Sequence, residues 1–156
     1  MPYKLIERLE KQGKLKKQKS GIVQTEALLK DAILDLKEAK KIYLLAARAT
    51  YLLAYIAMLK AGRALLLLKG YVPIDGVQHK TVVDVTAAIL GDDYKNLTAQ
   101  FENMRRKRNE LTYEPGSLLS KSESEKAFKD AVSLVKNIIR EASAVNPKIQ
   151  LKFDSV

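Results

Sequence analysis

Leu52 to Leu68 is a run of 17 residues with only two charges in it, Lys60 and Arg63. A run this long approaches the length of a membrane span, but two cations inside it would be expensive at mid-bilayer. The better reading is a core helix, apolar around most of its circumference and lying between several neighbours. That sets the expected fold class: all-α, a four- to five-helix up-and-down bundle around one helix from about Ala46 to Lys69, which Gly70 and Pro73 end. Along that helix Ala47, Thr50, Ala54, Ala57, Ala61 and Ala64 make a line of small residues, where another helix can approach closely. Arg48, Tyr51, Tyr55 and Gly62 lie on a different line, and tyrosines there read as core residues with a satisfied hydroxyl.

The other helices follow from periodicity and punctuation. Leu29, Ala32, Leu36, Ala39 and Tyr43 recur at spacings of three and four, which predicts a helix from about Thr25 to Tyr43 with Thr25 as its N-cap and Glu26–Lys30 as an i,i+4 pair. Gly70 to Lys80 reads as a loop. Thr81 to Leu90 is ambiguous because of Val82, Val83 and Val85, and is assigned to helix, with Thr81 as a cap, because no partner strand is evident. A helix from about Asp92 to Leu111 carries Tyr94, Leu97, Phe101, Met104, Arg108 and Leu111 on one stripe. Arg108 is thereby expected to face the body or a subunit seam, with Arg105, Arg106 and Lys107 facing more towards water. Pro115 and Gly116 stop that helix. Ser122 and Glu125 have the spacing of a capping box for a final helix with Phe128, Ala131, Val135, Ile138 and Ala142 on its apolar face, closed by Asn146-Pro147. Residues 1–20 are expected to be a basic arm or short helix, free of the body; 21–145 the helical domain; and 146–156 a loose tail.

The chain of 156 residues is the size of one domain and carries a net charge of +10. The first 20 residues hold seven basic side chains (Lys4, Arg8, Lys11, Lys14, Lys16, Lys17, Lys19) against Glu7 and Glu10, half of the net charge. Arg105-Arg106-Lys107-Arg108 is a second cluster. Such clusters suit an acidic protein or nucleic acid, and equally a solvated, soluble surface. The charged N-terminus lacks the apolar run of a signal peptide, so the expected setting is cytoplasmic, with no membrane.

The composition removes several chemistries. There is no cysteine and only one histidine, His79. Disulfides, thiol catalysis and thiolate metal sites are excluded, and neither a metal nor a cofactor is expected. No nucleophile elbow accompanies His79, and the glycines form no phosphate-cradling loop. The remaining candidate is Arg108 to Tyr113. Arg108 can neutralise a phosphate or a developing phosphorane charge. Asn109 can orient a ribose hydroxyl or water. Tyr113, five positions on, would lie well round a continuing helix from Arg108, so the two converge only if the helix ends between them or two copies meet.

These pieces together resemble the HEPN superfamily, nucleotide-binding domains of higher eukaryotes and prokaryotes. The resemblance covers roughly Thr25 to Ala142. It rests on Asp35 to Ala39, on the tyrosine-containing stretch Tyr55 to Leu66, on Gly70-Tyr71 followed by His79, and on Arg108, Asn109 and Tyr113. It implies a homodimeric bundle that binds RNA or a nucleotide. Many members are metal-independent ribonucleases, and many are toxins with a minimal nucleotidyltransferase as antitoxin. The family's active site is an arginine, a polar residue and then a histidine, facing its copy across the dimer seam. By that resemblance Arg108, Asn109 and Tyr113 form the catalytic set, with Arg105, Arg106, Lys107 and His79 as nucleotide- or RNA-binding residues. Tyr113 stands where the histidine is expected, and an ordinary tyrosine, with a pKa of about 10, is a poor base at pH 7. Binding with weak or absent nuclease activity is therefore the leading expectation; an active endoribonuclease and a non-catalytic structural or adaptor homodimer are the alternatives.

Overall fold

A computed structural model describes residues 2–19, 21–74, 78–153 and 156. Its elements run α1 (Pro2–Lys11), β1 (Leu15–Lys17), α2 (Ile22–Ile42), α3 (Ala47–Leu68), β2 (Tyr71–Pro73), α4 (Gln78–Leu90), a 3-10 turn (Asp92–Tyr94), α5 (Lys95–Tyr113) and α6 (Lys121–Val145). The fold is an all-α helical bundle. Helix α3 is its axis, packed on α2, α4, α5 and α6. By length and composition it could cross a membrane, yet 67% of its most apolar window is buried against protein. Both of its interior cations have partners: Lys60 Nζ lies 2.8 Å from Asp35 Oδ2 on α2, and Arg63 Nη2 donates to Gln78 Oε1 at 3.0 Å.

Side-chain contacts fix the relative directions. The start of α3 meets the end of α5, since Arg48 Nη2 donates to the Leu111 carbonyl at 2.9 Å. It also meets the start of α6, where the buried Ser124 hydroxyl donates to the Ala47 carbonyl at 2.8 Å. Tyr43, just past the end of α2, stacks on Phe128 near the start of α6, with ring centroids 5.5 Å apart. Thus α3 and α6 run one way and α2 and α5 the other. The Arg48 contact has a local cause. The amide four residues after Leu111 belongs to Pro115, which has no N–H, and the guanidinium supplies the missing donor.

On the small-residue line of α3, Thr50, Ala54, Ala57, Ala61 and Ala64 are all buried. The closest approach to α4 falls on the other line, at Gly62. A Cβ there would lie 2.7 Å from Val82 Cγ1 and 2.9 Å from Thr86 Oγ1. Glycine is what lets α4 come this near.

Several expectations are corrected. The N-terminal segment is not a loose arm: α1 packs on α4 and buries Ile6 and Leu9. Strand β1 pairs antiparallel with β2, Leu15 opposite Pro73, Lys16 opposite Val72 and Lys17 opposite Tyr71. This ribbon is the strand pairing not evident in the sequence, and it occupies part of the expected loop from Gly70 to Lys80; residues 75–77 of that loop lie outside the described residues. Helix α2 starts at Ile22, before the expected cap Thr25, which is instead buried. Likewise α4 starts at Gln78, and Thr81 lies buried inside it rather than capping it. The capping box of α6 is Ser120 with Glu123, not Ser122 with Glu125. The C-terminal tail is held as well: Ile149 is fully buried, and Ser143 Oγ donates to its carbonyl at 2.8 Å.

Candidate functional site

The basic run Arg105–Arg108 is divided by the helical repeat of α5 between two faces. Arg106 and Lys107 line an open groove of about 380 Å³ between α5 and α6, together with Tyr51, Glu110, Glu123 and Lys126. The groove is mixed in charge. Glu102 Oε1 lies 3.4 Å from Arg106 Nε, and Lys107 Nζ lies 3.7 Å from Glu110 Oε2 while also donating to the Leu118 carbonyl. Burial, with Glu123 and Glu110 adding, pushes the Tyr51 hydroxyl well above its ordinary range, so it stays neutral.

Arg105 and Arg108 turn the other way. Arg105 was expected to face water, but its side chain is only 16% exposed, and its Nη2 lies 2.6 Å from Glu102 Oε1. Its long side chain lies along the protein and reaches one turn back to the carboxylate. Lys80 of α4 reaches the same carboxylate at 3.4 Å. Burial raises the Glu102 carboxyl, but the hydrogen bond and charge of Arg105, aided by Lys80, outweigh it and hold Glu102 below its ordinary value.

Arg108 is partly buried, as its place in the apolar stripe predicts. Its Nη1 donates to Asn109 Oδ1 at 3.3 Å. Among the described residues no carboxylate lies within ion-pair distance of it, which sets it apart from Arg105, Arg106 and Lys107. The Tyr113 ring is 72% exposed, and its centroid lies 6.0 Å from Arg108 Cζ. Here the expectation about helix ends is corrected. Helix α5 continues through Tyr113, and the reach of an arginine side chain spans the angle between the two positions, at the outer limit of a cation–π contact.

Against Phe101 of α5 stands a pair that the sequence did not join. His79, in the first turn of α4, places Nδ1 2.9 Å from the hydroxyl of Tyr55 on α3. The two rings lie 5.7 Å apart, and Tyr55 packs on Phe101 of α5 at 6.0 Å. Tyr55 is fully buried, while His79 is partly exposed. Burial first, and then Arg108, Arg63 and Arg105, push the His79 imidazole below its ordinary value, so it is neutral at pH 7. Burial raises the Tyr55 hydroxyl, against the opposing charges of Arg108, Arg105 and Arg63. Of the three arginines, Arg108 acts most strongly on both rings.

The structure thus brings Asn109 and Tyr113 to Arg108, places His79 within electrostatic reach of Arg108 and Arg105, and leaves Lys107 in the groove between α5 and α6, with Arg106 lining that groove while its Nε still reaches the Glu102 oxygen that Arg105 holds. Tyr55 and Arg63 join the site unforeseen. Both lay in the Tyr55 to Leu66 stretch that carries the resemblance, but Tyr55 was read as a core tyrosine and Arg63 as a charge inside an apolar run, and neither as a site residue. No group of three or more metal-ligating side chains converges among the described residues. The arrangement offers hydrogen-bond donors and positive charge to an oxyanion, with a neutral imidazole alongside. No protein-family model matches the chain, and no curated protein matches it.

Proposed function

We propose that this chain is a HEPN-type domain that binds RNA or a nucleotide through phosphate, as a cytoplasmic homodimer partnered by a minimal nucleotidyltransferase in a toxin–antitoxin arrangement. The observation that carries the reading is Arg108: a guanidinium partly withdrawn from water, with no carboxylate near it among the described residues and with Arg63 and Arg105 adding charge of the same sign. Such a cation is stabilised by an anion from outside, and a guanidinium fork matches phosphate oxygens. Asn109 supplies a polar group beside it, and the exposed Tyr113 ring supplies a face on which a base can stack. An adaptor reading calls instead for an acidic partner to Arg108 within the fold, which favours the binding reading over it.

The test is titration of a fluorescent single-stranded RNA oligonucleotide across a salt series. Arg108→Ala is expected to weaken binding at least tenfold and to flatten the salt dependence, because one phosphate contact is lost. Arg106→Ala, on the other face, is expected to have a smaller effect. Equal binding by wild type and Arg108→Ala would refute the assignment. Co-purification with a co-expressed nucleotidyltransferase encoded beside it tests the partner; its absence would remove that half of the reading.

A further inference from the structure

We infer that α1 and β1 form a second contact surface for RNA, one that grips the phosphate backbone of a long strand from elements other than the one that carries Arg108. The inference rests on the RNA half of the reading above and deepens it, because it selects a polynucleotide over a free nucleotide as the ligand. Its basis is that the basic N-terminal segment is built into the fold. The Lys14 amide donates to the Leu9 carbonyl at 2.9 Å, across a turn where Gly13 takes a φ of 72°. The Ile74 amide donates to the Lys14 carbonyl at 3.1 Å and the Gln18 amide to the Gly70 carbonyl at 2.9 Å, so the pairing of β1 with β2 is closed at both ends. Lys4, Arg8 and Lys11 recur at spacings of four and three, on the side of α1 away from the buried Ile6 and Leu9. Lys16, Lys17 and Lys19 are exposed on the strand and just after it. The fold therefore holds the backbone of these cations in place before any ligand arrives, which lowers the cost of binding.

The charge on this unit is unbalanced. Between Lys4 and Lys19 stand seven basic residues and two acidic ones, Glu7 and Glu10. None of the nine forms an ion pair among the described residues; every ion pair there lies between Glu26 and Glu141. The residues opposite Lys16 and Lys17 in the ribbon are Val72 and Tyr71, which bring no negative charge. Seven cations on so short a unit repel one another, and a polyanion removes that repulsion. Three features select a nucleic-acid backbone as the polyanion. Helix α1 alone is about 15 Å long, several times the ~3.4 Å between phosphates along one strand of a duplex, so the surface outreaches a single nucleotide. A protein partner needs an apolar centre to its interface, and a membrane needs apolar side chains to insert; residues 2–19 expose one large hydrophobic side chain, Tyr3. That ring stands next to Lys4 and is 73% exposed, a face on which a base can stack.

The experiment titrates the full chain into fluorescent RNA across a salt series, with a tetranucleotide and a single strand of about twenty nucleotides, the longer one able to reach both surfaces. The combined variant Lys11→Gln, Lys16→Gln, Lys17→Gln and Lys19→Gln alters only exposed side chains and removes their charges. It is expected to bind the long strand at least ~10-fold more weakly near physiological salt and to lower the salt slope by about two to three, at ~0.7 per lost contact. It is expected to bind the tetranucleotide within about twofold of wild type, whereas Arg108→Ala weakens binding of both. Lys→Arg at the same positions keeps the charge and is expected to bind the long strand as wild type does. Wild-type affinity and slope in the glutamine variant would overturn the second surface and leave the Arg108 reading standing. An equal loss on both RNAs would overturn it as well, being the mark of a diffuse field rather than a contact. Polyglutamate of matched charge, or phosphatidylglycerol vesicles, bound as tightly as the long RNA would overturn the choice of RNA. Equal binding by Arg108→Ala, with the glutamine variant still weakened, refutes the Arg108 reading and leaves this surface in place. A wild type that binds neither RNA refutes both.

Discussion

Replacing Gly62 with alanine sets two opposed effects against each other. Gly62 lies inside α3, where an exposed Gly→Ala change would stabilise by about 1 kcal/mol through helix propensity. Here the new methyl would stand 2.7 Å from Val82 Cγ1, 2.9 Å from Thr86 Oγ1 and 3.5 Å from Phe101 Cε2. Val82 and Thr86 are fully buried β-branched residues on α4, and neither is the loose end of a flexible chain. Forcing a methyl into such a site costs about 1–3 kcal/mol. The net expectation for Gly62→Ala is a loss of about 1 kcal/mol, read as a lower urea midpoint with an unchanged slope in far-UV circular dichroism. Val82→Ala alone is expected to lose about 2 kcal/mol, from two buried methyl groups and the space they leave. In that background the closer of the two clashes is gone and only the 2.9 Å approach to Thr86 Oγ1 remains, so the double variant is expected to be more stable than the sum of the singles by about 1 kcal/mol. A higher midpoint for Gly62→Ala, together with additive singles, would show that helix propensity rules at this position and that α4 does not press on α3 there.

Three further outcomes follow from particular contacts. Ser120→Ala is expected to lower stability by about 1 kcal/mol in urea unfolding, because Ser120 Oγ accepts the Glu123 amide at 3.0 Å, whereas Ser122→Ala is expected to be near neutral. Arg48→Met is expected to cost about 1–2 kcal/mol by the same measurement, since it leaves the Leu111 carbonyl without its donor; a cost near zero would show that water replaces the guanidinium freely. Arg108→Met is expected to raise the His79 pKa towards its ordinary value in a ring-proton NMR titration, because the strongest of three positive charges is removed. The sign carries over to stability. A histidine depressed in the fold contributes most above its unfolded pKa, and the contribution is lost as pH falls through the folded pKa; the variant therefore loses less stability than wild type on mild acidification.

What was legible in the sequence was what local periodicity and punctuation encode. The apolar stripe of α5 placed Arg108 at the edge of the core, because burial there repeats with the helix turn. The apolar run of α3 set the fold class, because so much uninterrupted greasy surface needs neighbours on most sides. What stayed hidden depended on pairings across the fold. Ser120–Glu123 and Ser122–Glu125 have the same spacing; the fold starts α6 at the first, and buries Ser124, which donates to the Ala47 carbonyl, inside the first turn. The N-terminal charges drew attention from Ile6, Leu9 and Leu15, whose burial ties that segment to α4 and to β2. The site divides in the same way. Sequence spacing singled out Arg108, Asn109 and Tyr113, because they lie within two turns of one helix. It could not join His79 to Tyr55, 24 residues apart, nor separate Arg105 from its neighbours Arg106 and Lys107. The first hangs on where α4 crosses α3, a crossing that Gly62 permits by lacking a side chain; the second hangs on how α5 is turned against α4 and α6.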